Sequence, residues 1–325
     1  MDELHGLILD IYRAAQECTM DEFQERALGL VKDILPFDSC RWGMALTFAD
    51  DRLTFEHAHL HNEMDGVVEA YVEVIGQDLV GLQAARNPGR TINVNARHLC
   101  ADRPDYRAYL DYLSRYRHEN LLVTGVVSAS NAARSLSYYR ADRDDQFSER
   151  ERQFGEALFP HLMEALTINL KLGLARQRTG GGPGRWPMAM CDCNGLVLYA
   201  EPEFTALLAR QWPAASPSRL PAAIVDTVMM RALPHLATEH VFVGAAQRHK
   251  RIVYLKARAR HAVDALSPRE LQVAQLVAQG LNFKEIAIAL QLAPATVRNH
   301  IQRIHDRLGI RSNTELAAQL AVAMP

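Results

Sequence analysis

The last sixty residues carry the densest local folding signals of the chain. Ser267-Pro-Arg-Glu270 and Ser312-Asn-Thr-Glu315 both have the capping-box pattern, in which a hydroxyl residue starts a helix and a glutamate follows three positions later. Asn282 can cap a helix between them. Gly280 and Gly309 stand where helices end, because glycine tolerates a positive φ. The pattern predicts four short helices in this segment.

The third of these helices, predicted from about Pro294 to Leu308, has two chemically distinct sides. One apolar stripe, with spacings of four, three and four residues, is formed by Val297, Ile301, Ile304 and Leu308. The other side carries polar and charged residues, namely Arg298 on the flank, Asn299, Gln302, Arg303 and Asp306. Arginine can pair with guanine in the major groove of DNA, and asparagine or glutamine with adenine. The helix therefore suits base recognition, although periodicity alone also allows an ordinary helical bundle with a solvated polar face.

Charge is distributed unevenly along the chain. The formal net charge is −2, but from Arg248 to Pro325 there are 12 Lys and Arg against 5 Asp and Glu. This segment therefore carries +7 and the residues before it carry −9. A basic end on an acidic body favours a nucleic-acid partner for that end.

The C-terminal segment resembles the LuxR-type helix-turn-helix, also called NarL/FixJ-type. The resemblance is carried by motifs spread over the whole module: Leu266-Ser-Pro-Arg-Glu270, Gly280-Leu281, Lys284-Glu-Ile-Ala287, Leu290, Thr296-Val-Arg-Asn-His300, Ile304 and Arg307-Leu-Gly309. It implies a four-helix domain that binds double-stranded promoter or operator DNA as a homodimer. By position, it implies that base edges are met by Arg298, Asn299 and Gln302. The phosphates are then contacted by Lys284, Thr296 and Arg303.

Three positions depart from the usual pattern of that family. Phe283 stands where Asn is usual, Arg298 stands where Lys is common, and Ala293-Pro294 replaces a Ser-containing cap. Because of the last departure, the sequence does not define the first residue of the third helix. The assignment of the motif is unaffected.

A glycine-rich segment, TGGGPGRW at 179–186, divides the rest of the chain. Consecutive glycines followed by Pro-Gly are typical of a flexible linker, because they do not continue a helix. We therefore predict a first domain over 1–178, a linker over 179–186, a second domain over 187–262 and the helix-turn-helix domain over 263–325.

The first predicted domain alternates helices and strands. Two amphipathic helices come first, followed by strands over about 41–48 and 53–60 that are joined by a turn at Asp50-Asp51. A helix over about 64–75, strands over 91–94 and 121–129, and a long helix from Ser148 to about Ala175 complete the pattern. This order, together with the segments PFDSCRWGM and ALFPHLMEAL, resembles a GAF domain, an α+β sensor with a central antiparallel sheet.

The long helix has an apolar seam of near-heptad spacing, formed by Leu158, Leu162, Ala165 and Leu172 and interrupted by Asn169. Such a seam pairs two chains in a coiled coil, or it packs the helix on its own sheet. The sequence leaves both alternatives open.

The second predicted domain begins MAMCDCNGLVLYAEPEFTALL. Two strands joined by a hairpin turn at Asn194-Gly195, a helix around 204–208 and a closing hairpin over 239–259 resemble a compact PAS domain. The predicted fold class is therefore α+β sensor domains, GAF-like and PAS-like with antiparallel sheets, followed by an all-α four-helix LuxR-type helix-turn-helix domain.

A signal molecule for the N-terminal region is only weakly indicated. Quorum-sensing LuxR receptors also place an α+β domain before this helix-turn-helix, and their acyl-homoserine-lactone pocket uses Trp, Tyr, Asp-Pro and Trp at set spacing. Tyr71 and Asp78 resemble that Tyr and Asp, but Leu79 replaces the Pro. Trp42, Tyr71 and Asp78 are the candidate ligand-binding residues. An acyl-lactone receptor and a protein-interaction scaffold without a ligand remain alternatives to a sensor of another small molecule.

Other site chemistries find little support in the sequence. His57, His59 and His61 alternate on one strand face, but period-2 neighbours lie about 7 Å apart, which is long for one metal ion. The five cysteines fit neither a disulfide framework nor a zinc motif. We expect no catalytic residues, no metal and no cofactor. The acidic start MDELHGLILD lacks the basic region of a secretory signal, and no apolar run is long enough to span a membrane. We expect a cytoplasmic protein.

Overall fold

In the computed structural model, the described residues are 2–47, 53–99, 106–127, 132–178, 186–231, 235–249 and 252–323. The predicted turn at Asp50-Asp51 and positions 179–185 of the predicted linker lie outside them. The chain forms two compact units, Met1–Arg176 and Gln177–Pro325.

The first unit is built on an antiparallel sheet whose strand order is β2-β1-β5-β4-β3. Its helices and strands in the described part of the chain are α1 (Asp2–Glu17), α2 (Met20–Lys32), β1 (Ser39–Thr47), β2 (Leu53–His61), α3 (Val67–Val74), α4 (Leu79–Arg86), β3 (Thr91–Asn95), α5 (Arg107–Arg115), β4 (Asn120–Val127), β5 (Ala132–Arg140) and α6 (Glu149–Arg176).

Helices cover both faces of this sheet, because successive strand residues point to opposite sides. On one face, Leu122 and Leu136 pack with α1, α2 and α6 in the larger apolar core. On the other face, Leu121, Val123 and Tyr139 pack with α3, α4 and α5. The second face is the more polar one, and it contains the cavity described below.

The predicted seam of α6 is used inside the unit. Leu158, Leu162 and Ala165 are fully buried in the larger core. The Asn169 side chain donates hydrogen bonds of 3.0 Å to the carbonyl oxygens of Ala15 and Cys18, so it anchors α6 to the end of α1. These seam residues pack within their own unit, which is the second of the two alternatives for this helix.

The second unit begins with another antiparallel sheet, in the order β7-β6-β10-β9-β8. Its described elements are β6 (Met188–Asp192), β7 (Val197–Ala200), α7 (Pro202–Gln211), α8 (Ala222–Ile224), which continues as a π-helical segment over Val225–Met230, β8 (His235–Ala237), β9 (Val241–His249) and β10 (Ile252–Ala259). The predicted Asn194-Gly195 turn joins β6 to β7, and Gly195 has a φ of +84° there.

Four helices end the chain, as predicted: α9 (Pro268–Ala278), α10 (Phe283–Leu290), α11 (Pro294–Leu308) and α12 (Asn313–Ala323). Gly280 and Gly309 have φ values of +89° and +64° at the ends of α9 and α11. Val297, Ile304 and Leu308 are buried in a common core.

The antiparallel α+β organisation followed by a helical domain is confirmed, but several elements were not predicted. They are α4, α5, β5, α8 with its π-helical continuation, and β8. In α9, Val273 is fully buried, whereas Ala278 is exposed. The PAS-like assignment and the boundaries at 187, 262 and 263 stay predictions. No helix in the described ranges is both long and apolar enough to cross a membrane.

Candidate nucleic-acid interface and ligand cavity

Reciprocal caps fix the first two helices of the C-terminal module. The Ser267 amide donates to the Glu270 carboxylate at 2.8 Å, and the Ser267 hydroxyl accepts from the Glu270 amide. The Asn282 amide donates to the Glu285 carboxylate at 2.7 Å, and the Asn282 side chain accepts from the amides of Lys284 and Glu285. Both helix starts therefore have a single defined geometry.

At α12 the predicted capping box forms in an altered version. The Ser312 hydroxyl accepts from the Glu315 amide at 3.2 Å, but the Glu315 carboxylate accepts from the Arg311 amide, one residue earlier than expected.

Two arginine side chains hold the helices of the module together. The sequence did not indicate these contacts between helices. Arg307 of α11 donates to the Glu270 carboxylate at 2.6 Å and to the Ala265 carbonyl at 3.2 Å. Arg269 of α9 donates to the Leu290 carbonyl at the end of α10, at 2.8 Å. The hydrogen bond from the Ser267 amide, followed by the nearby Arg307, lowers the pKa of Glu270. The carboxylate therefore stays charged and holds both contacts.

All six predicted DNA-contacting residues are exposed on this scaffold: Lys284, Thr296, Arg298, Asn299, Gln302 and Arg303. α11 starts at Pro294 with Ala293 as its N-cap, which resolves the start that the sequence left open. Gln302 and Arg303 follow Asn299 by three and four residues, so each is its neighbour on one side of α11. Arg298 and Gln302 are four apart and are neighbours in the same way. The arrangement can present guanidinium and amide groups together to the edges of bases.

Two of these residues already have contacts within the module. The Arg298 guanidinium carbon lies 4.6 Å from the centre of the Phe283 ring. The Gln302 amide donates to the Asp306 carboxylate at 2.9 Å. Thus Asp306 places a negative charge beside a predicted base-reading residue.

A cavity of about 70 Å³ lies in the first unit, between the polar face of the sheet and the helices α4 and α5. Its wall includes the predicted candidates Tyr71 and Asp78, together with Arg41, Tyr109 and Tyr112. Apolar residues such as Phe55, Val80 and Leu113 complete the lining. A water needs about 10–15 Å³ by this measure, so the cavity holds a few waters or a small ligand.

Asp78 is the best-connected polar group of the cavity. Its carboxylate accepts from the Tyr71 hydroxyl at 2.6 Å, from the Tyr109 hydroxyl at 2.7 Å and from the Gly81 amide at 2.9 Å. The last bond caps α4. A side chain at Gly81 would meet the carboxylate, since a Cβ built there lies 2.6 Å from Oδ2. Burial, and then the adjacent Asp78, raise the pKa of Tyr71 and Tyr109, so both hydroxyls keep the protons that they donate.

Arg41 of β1 also lines the cavity, although it was not among the predicted ligand-binding residues. It is 6% exposed, and it donates one hydrogen bond to the Tyr112 hydroxyl. Its guanidinium carbon lies 4.3 Å from the centre of the Tyr71 ring, and its Nε is buried without a hydrogen-bond partner. No carboxylate within the described ranges forms an ion pair with it. Arg41 therefore offers an unused donor at the cavity wall. Burial raises the pKa of Tyr112 to about 12, so Tyr112 stays neutral.

The third ligand candidate, Trp42, lies elsewhere. It is 3% exposed in the larger core on the opposite face of the sheet, with its ring centre 6.2 Å from that of Phe23. Neighbouring residues of a strand point to opposite faces, so Arg41 and Trp42 cannot both face the cavity. Trp42 therefore does not line this cavity, unlike the other two candidates, Tyr71 and Asp78.

A buried histidine–carboxyl contact adjoins the cavity wall. The His118 Nε2 and the Glu63 Oε2 are 2.9 Å apart, and the two side chains are 0% and 1% exposed. The His118 ring stacks on Tyr139 with 3.7 Å between centres. Burial lowers the pKa of His118 although Glu63 opposes this.

Two histidines on the shared face of β2 contact a glutamate on a neighbouring helix. His59 Nε2 and His61 Nδ1 lie 2.9 and 2.8 Å from the two carboxylate oxygens of Glu25 on α2. Within the described part of the chain, no three His, Cys, Asp or Glu residues are grouped so as to hold a metal ion. Sequence reasoning missed Glu25 because nothing in the sequence indicates that α2 crosses this strand.

The C-terminal module matches one family model, and the chain is similar to several known proteins. The family model for bacterial regulatory proteins of the luxR family matches residues 264–320. The transcriptional regulatory protein UhpA of Escherichia coli K12 is 32% identical over 168 residues, which are 48% of this chain and 85% of that protein. A probable transcriptional regulatory protein NarL of Mycobacterium tuberculosis is 37% identical over 70 residues, 22% of this chain and 31% of that one. The solved structure of CepR2, an N-acylhomoserine lactone-dependent LuxR-family factor from Burkholderia cenocepacia, has a TM-score of 0.40 and 18% identity, covering 54% of this chain and 99% of that one.

Proposed function

Because the chain belongs to the LuxR family of bacterial regulatory proteins, we propose that it is a one-component regulator whose N-terminal region senses a signal and controls DNA binding. It is a transcriptional regulator with a helix-turn-helix DNA-binding domain. The proposal adds three features: α11 reads operator bases, the protein binds as a homodimer, and the cavity of the first unit receives the signal. Its place of action is then the cytoplasm, where the DNA is.

The observation that carries the proposal is the two-sided character of α11. Val297 and Ile304 are fully buried, so the helix has one fixed orientation in its module. Arg298, Asn299 and Gln302 are exposed in that orientation. Side chains on such a rigid support can meet base edges without further ordering. Exposed Lys284, Thr296 and Arg303 then supply phosphate contacts, which fix register but carry no sequence information.

A dimer is proposed because a single small module with few basic contacts binds one half-site weakly. Two modules on a palindromic operator add their contacts and set the half-site spacing. The buried seam of α6 does not supply the pairing surface, so we assign it to α12. Leu316 and Leu320 are buried within the module, whereas Val322 of α12 is 65% exposed and can meet a second copy.

The cavity favours a ligand sensor over a protein-interaction scaffold. A solid core would favour a scaffold, whereas this unit holds a partly open cavity lined by an unpaired arginine donor, a carboxylate and several tyrosines. A ligand that binds one arrangement of the dimer better than another would shift the population toward the arrangement that fits the operator. An acyl-homoserine lactone is the second candidate signal, because Tyr71 and Asp78 meet at this cavity.

DNA binding can be tested with the full chain. An operator is selected from random DNA, and affinities are measured by fluorescence anisotropy at several salt concentrations. Arg298→Ala and Gln302→Ala should each relax the preference at one or two base pairs, by about 1–3 kcal/mol. Lys284→Ala should weaken binding to all sequences and lower the salt slope by about one. Arg210→Ala removes an exposed arginine of α7 and serves as the matched control. Unchanged sequence preference in Arg298→Ala would contradict the assignment of α11.

Ligand sensing can be tested separately. Native mass spectrometry of the purified protein reports its oligomeric state and any small molecule that stays bound. Thermal unfolding with N-hexanoyl-homoserine lactone then tests the second candidate. Stabilisation that Asp78→Asn abolishes would support that candidate. A cavity that admits none of a broad library of small molecules would favour the scaffold instead.

A further inference from the structure

Arg298 stands out among the predicted base-reading residues because of its contact with another helix. It is exposed, and in the described part of the chain its side chain makes no hydrogen bond or ion pair. Its guanidinium instead lies over the Phe283 ring, with 4.6 Å between the guanidinium carbon and the ring centre. Phe283 is the first residue of α10, and Arg298 is the fifth residue of α11.

The Phe283 ring is a rigid support for this contact. Phe283 directly follows the N-cap Asn282, whose reciprocal hydrogen bonds with Glu285 fix the backbone at this point. The ring is half-buried and packs against the apolar core of the module. A side chain at the start of a capped helix has little conformational freedom. The ring therefore stays in place, and the more flexible arginine side chain adopts the conformation that contacts it.

A guanidinium over an aromatic ring can engage that ring through its planar face, which leaves its edge available. An arginine stacks on an aromatic ring through its planar face, whereas its five N–H donors point outward within the plane. Recognition of guanine uses two of those in-plane donors, which bond to O6 and N7. Stacking on Phe283 and pairing with a guanine are therefore compatible at the same time.

Holding the arginine in advance also favours binding. A free arginine side chain loses much rotamer freedom when it is fixed on a base. A ring that already restricts the side chain removes part of that cost, and the preorganised group binds more tightly. The gain applies to the base pair that Arg298 reads and to no other contact of the module.

We propose that Phe283 is a positioning residue that sets the sequence specificity of this protein through Arg298. It presents the guanidinium edge to a guanine and makes no base contact of its own. The inference rests on the proposed function of α11 in DNA recognition, and it adds a determinant located on a different helix.

The test measures base preference in four variants of the full chain: Phe283→Leu, Phe283→Tyr, Arg298→Ala and the double variant Phe283→Leu/Arg298→Ala. Dissociation constants are measured for the selected operator and for operators changed at one base pair each. Phe283→Leu keeps an apolar side chain but removes the ring. We expect it to reduce the preference for guanine at the Arg298 base pair by about two- to fivefold, in line with an exposed cation–π contact. Phe283→Tyr restores the ring and should retain the preference.

Three results separate this role from a purely structural one. Preferences at other base pairs and the salt slope should stay as in the wild type, and Phe283→Leu should have no further effect in the Arg298→Ala background. An equal loss of affinity for all operators, or the same loss in that background, would overturn the proposal. If Phe283→Leu does not fold, NMR of the wild-type protein decides. Arg298 side-chain protons shifted upfield by the ring support the stack, and random-coil shifts refute it. Absence of sequence-specific binding by the wild type would instead remove the proposed function itself.

Discussion

Glu270 joins the start of α9 to the last turn of α11, so its removal tests how the helix-turn-helix module is held together. The residue is 5% exposed, with carboxylate contacts of 2.8 Å to the Ser267 amide and 2.6 Å to Arg307. We predict that Glu270→Ala lowers the free energy of unfolding of the module by about 1–2 kcal/mol. Loss of a cap accounts for about 1 kcal/mol. The ion pair adds less than about 1 kcal/mol, because Arg307 is 47% exposed and water screens it.

The same contacts predict how the effect depends on pH. Folding lowers the pKa of Glu270, first through the Ser267 amide and then through Arg307. A lowered folded-state pKa stabilises the folded protein at pH values above the unfolded-state pKa of about 4.3. The stabilisation is lost as the pH falls through the lower folded-state value. The difference between wild type and Glu270→Ala should therefore narrow on acidification.

Hydrogen exchange of the full chain, followed by mass spectrometry, measures this effect in peptides from α9 and α11. Glu270→Gln keeps an oxygen that can accept from the Ser267 amide, so it should lose only the smaller ion-pair contribution. Glu239→Ala, at an exposed glutamate of the same unit, is the matched control. Equal protection losses for Glu270→Gln and Glu270→Ala, or a difference that is constant over this pH range, would refute the reasoning.

Three further substitutions test the other contacts. Asp78→Asn leaves a tyrosine hydroxyl at the cavity without its carboxylate and should destabilise the first unit by about 1–3 kcal/mol in urea unfolding, with Asp65→Asn as an exposed control. Asp306→Ala removes a negative charge from the DNA-facing side of α11, so non-specific DNA should bind more tightly in anisotropy titrations, whereas weaker binding would contradict the orientation of α11. His118→Ala leaves the buried carboxyl group of Glu63 without this hydrogen-bond partner and should cost about 1–3 kcal/mol in the same urea experiment.

The C-terminal module could be predicted almost entirely from sequence, because its signals are local. A cap, a glutamate three residues later and a terminal glycine all act within a few positions, so each helix start and stop is encoded where it occurs. The start of α11 at Pro294 is local in the same sense, since a proline at the first position needs no amide partner. The buried face of α9, which includes Val273, depends instead on a partner distant in sequence, because α12 packs against α9.

The first unit was less predictable because its elements depend on distant partners. β5 has the sequence AARSLSYYR, which lacks an apolar run, and it is a strand because β1 and β4 pair with it on both sides. α4 contains Gly81, a poor helix residue, at the place where the Asp78 carboxylate needs space. Arg41 and Tyr112 meet at the cavity although 71 positions separate them. No window of the sequence shows such a pair.

The contact between Phe283 and Arg298 is visible in the fold but not in the sequence. Each departs from the usual pattern of the family, and in the sequence the two positions are fifteen apart with no visible relation. The turn at Gln291, which has a φ of +54°, reverses the chain so that the start of α10 comes beside the first turns of α11. The two departures are then in contact. Two positions that look unrelated in the sequence thus form one structural unit, which joins the helix proposed to read bases to the helix that supports it.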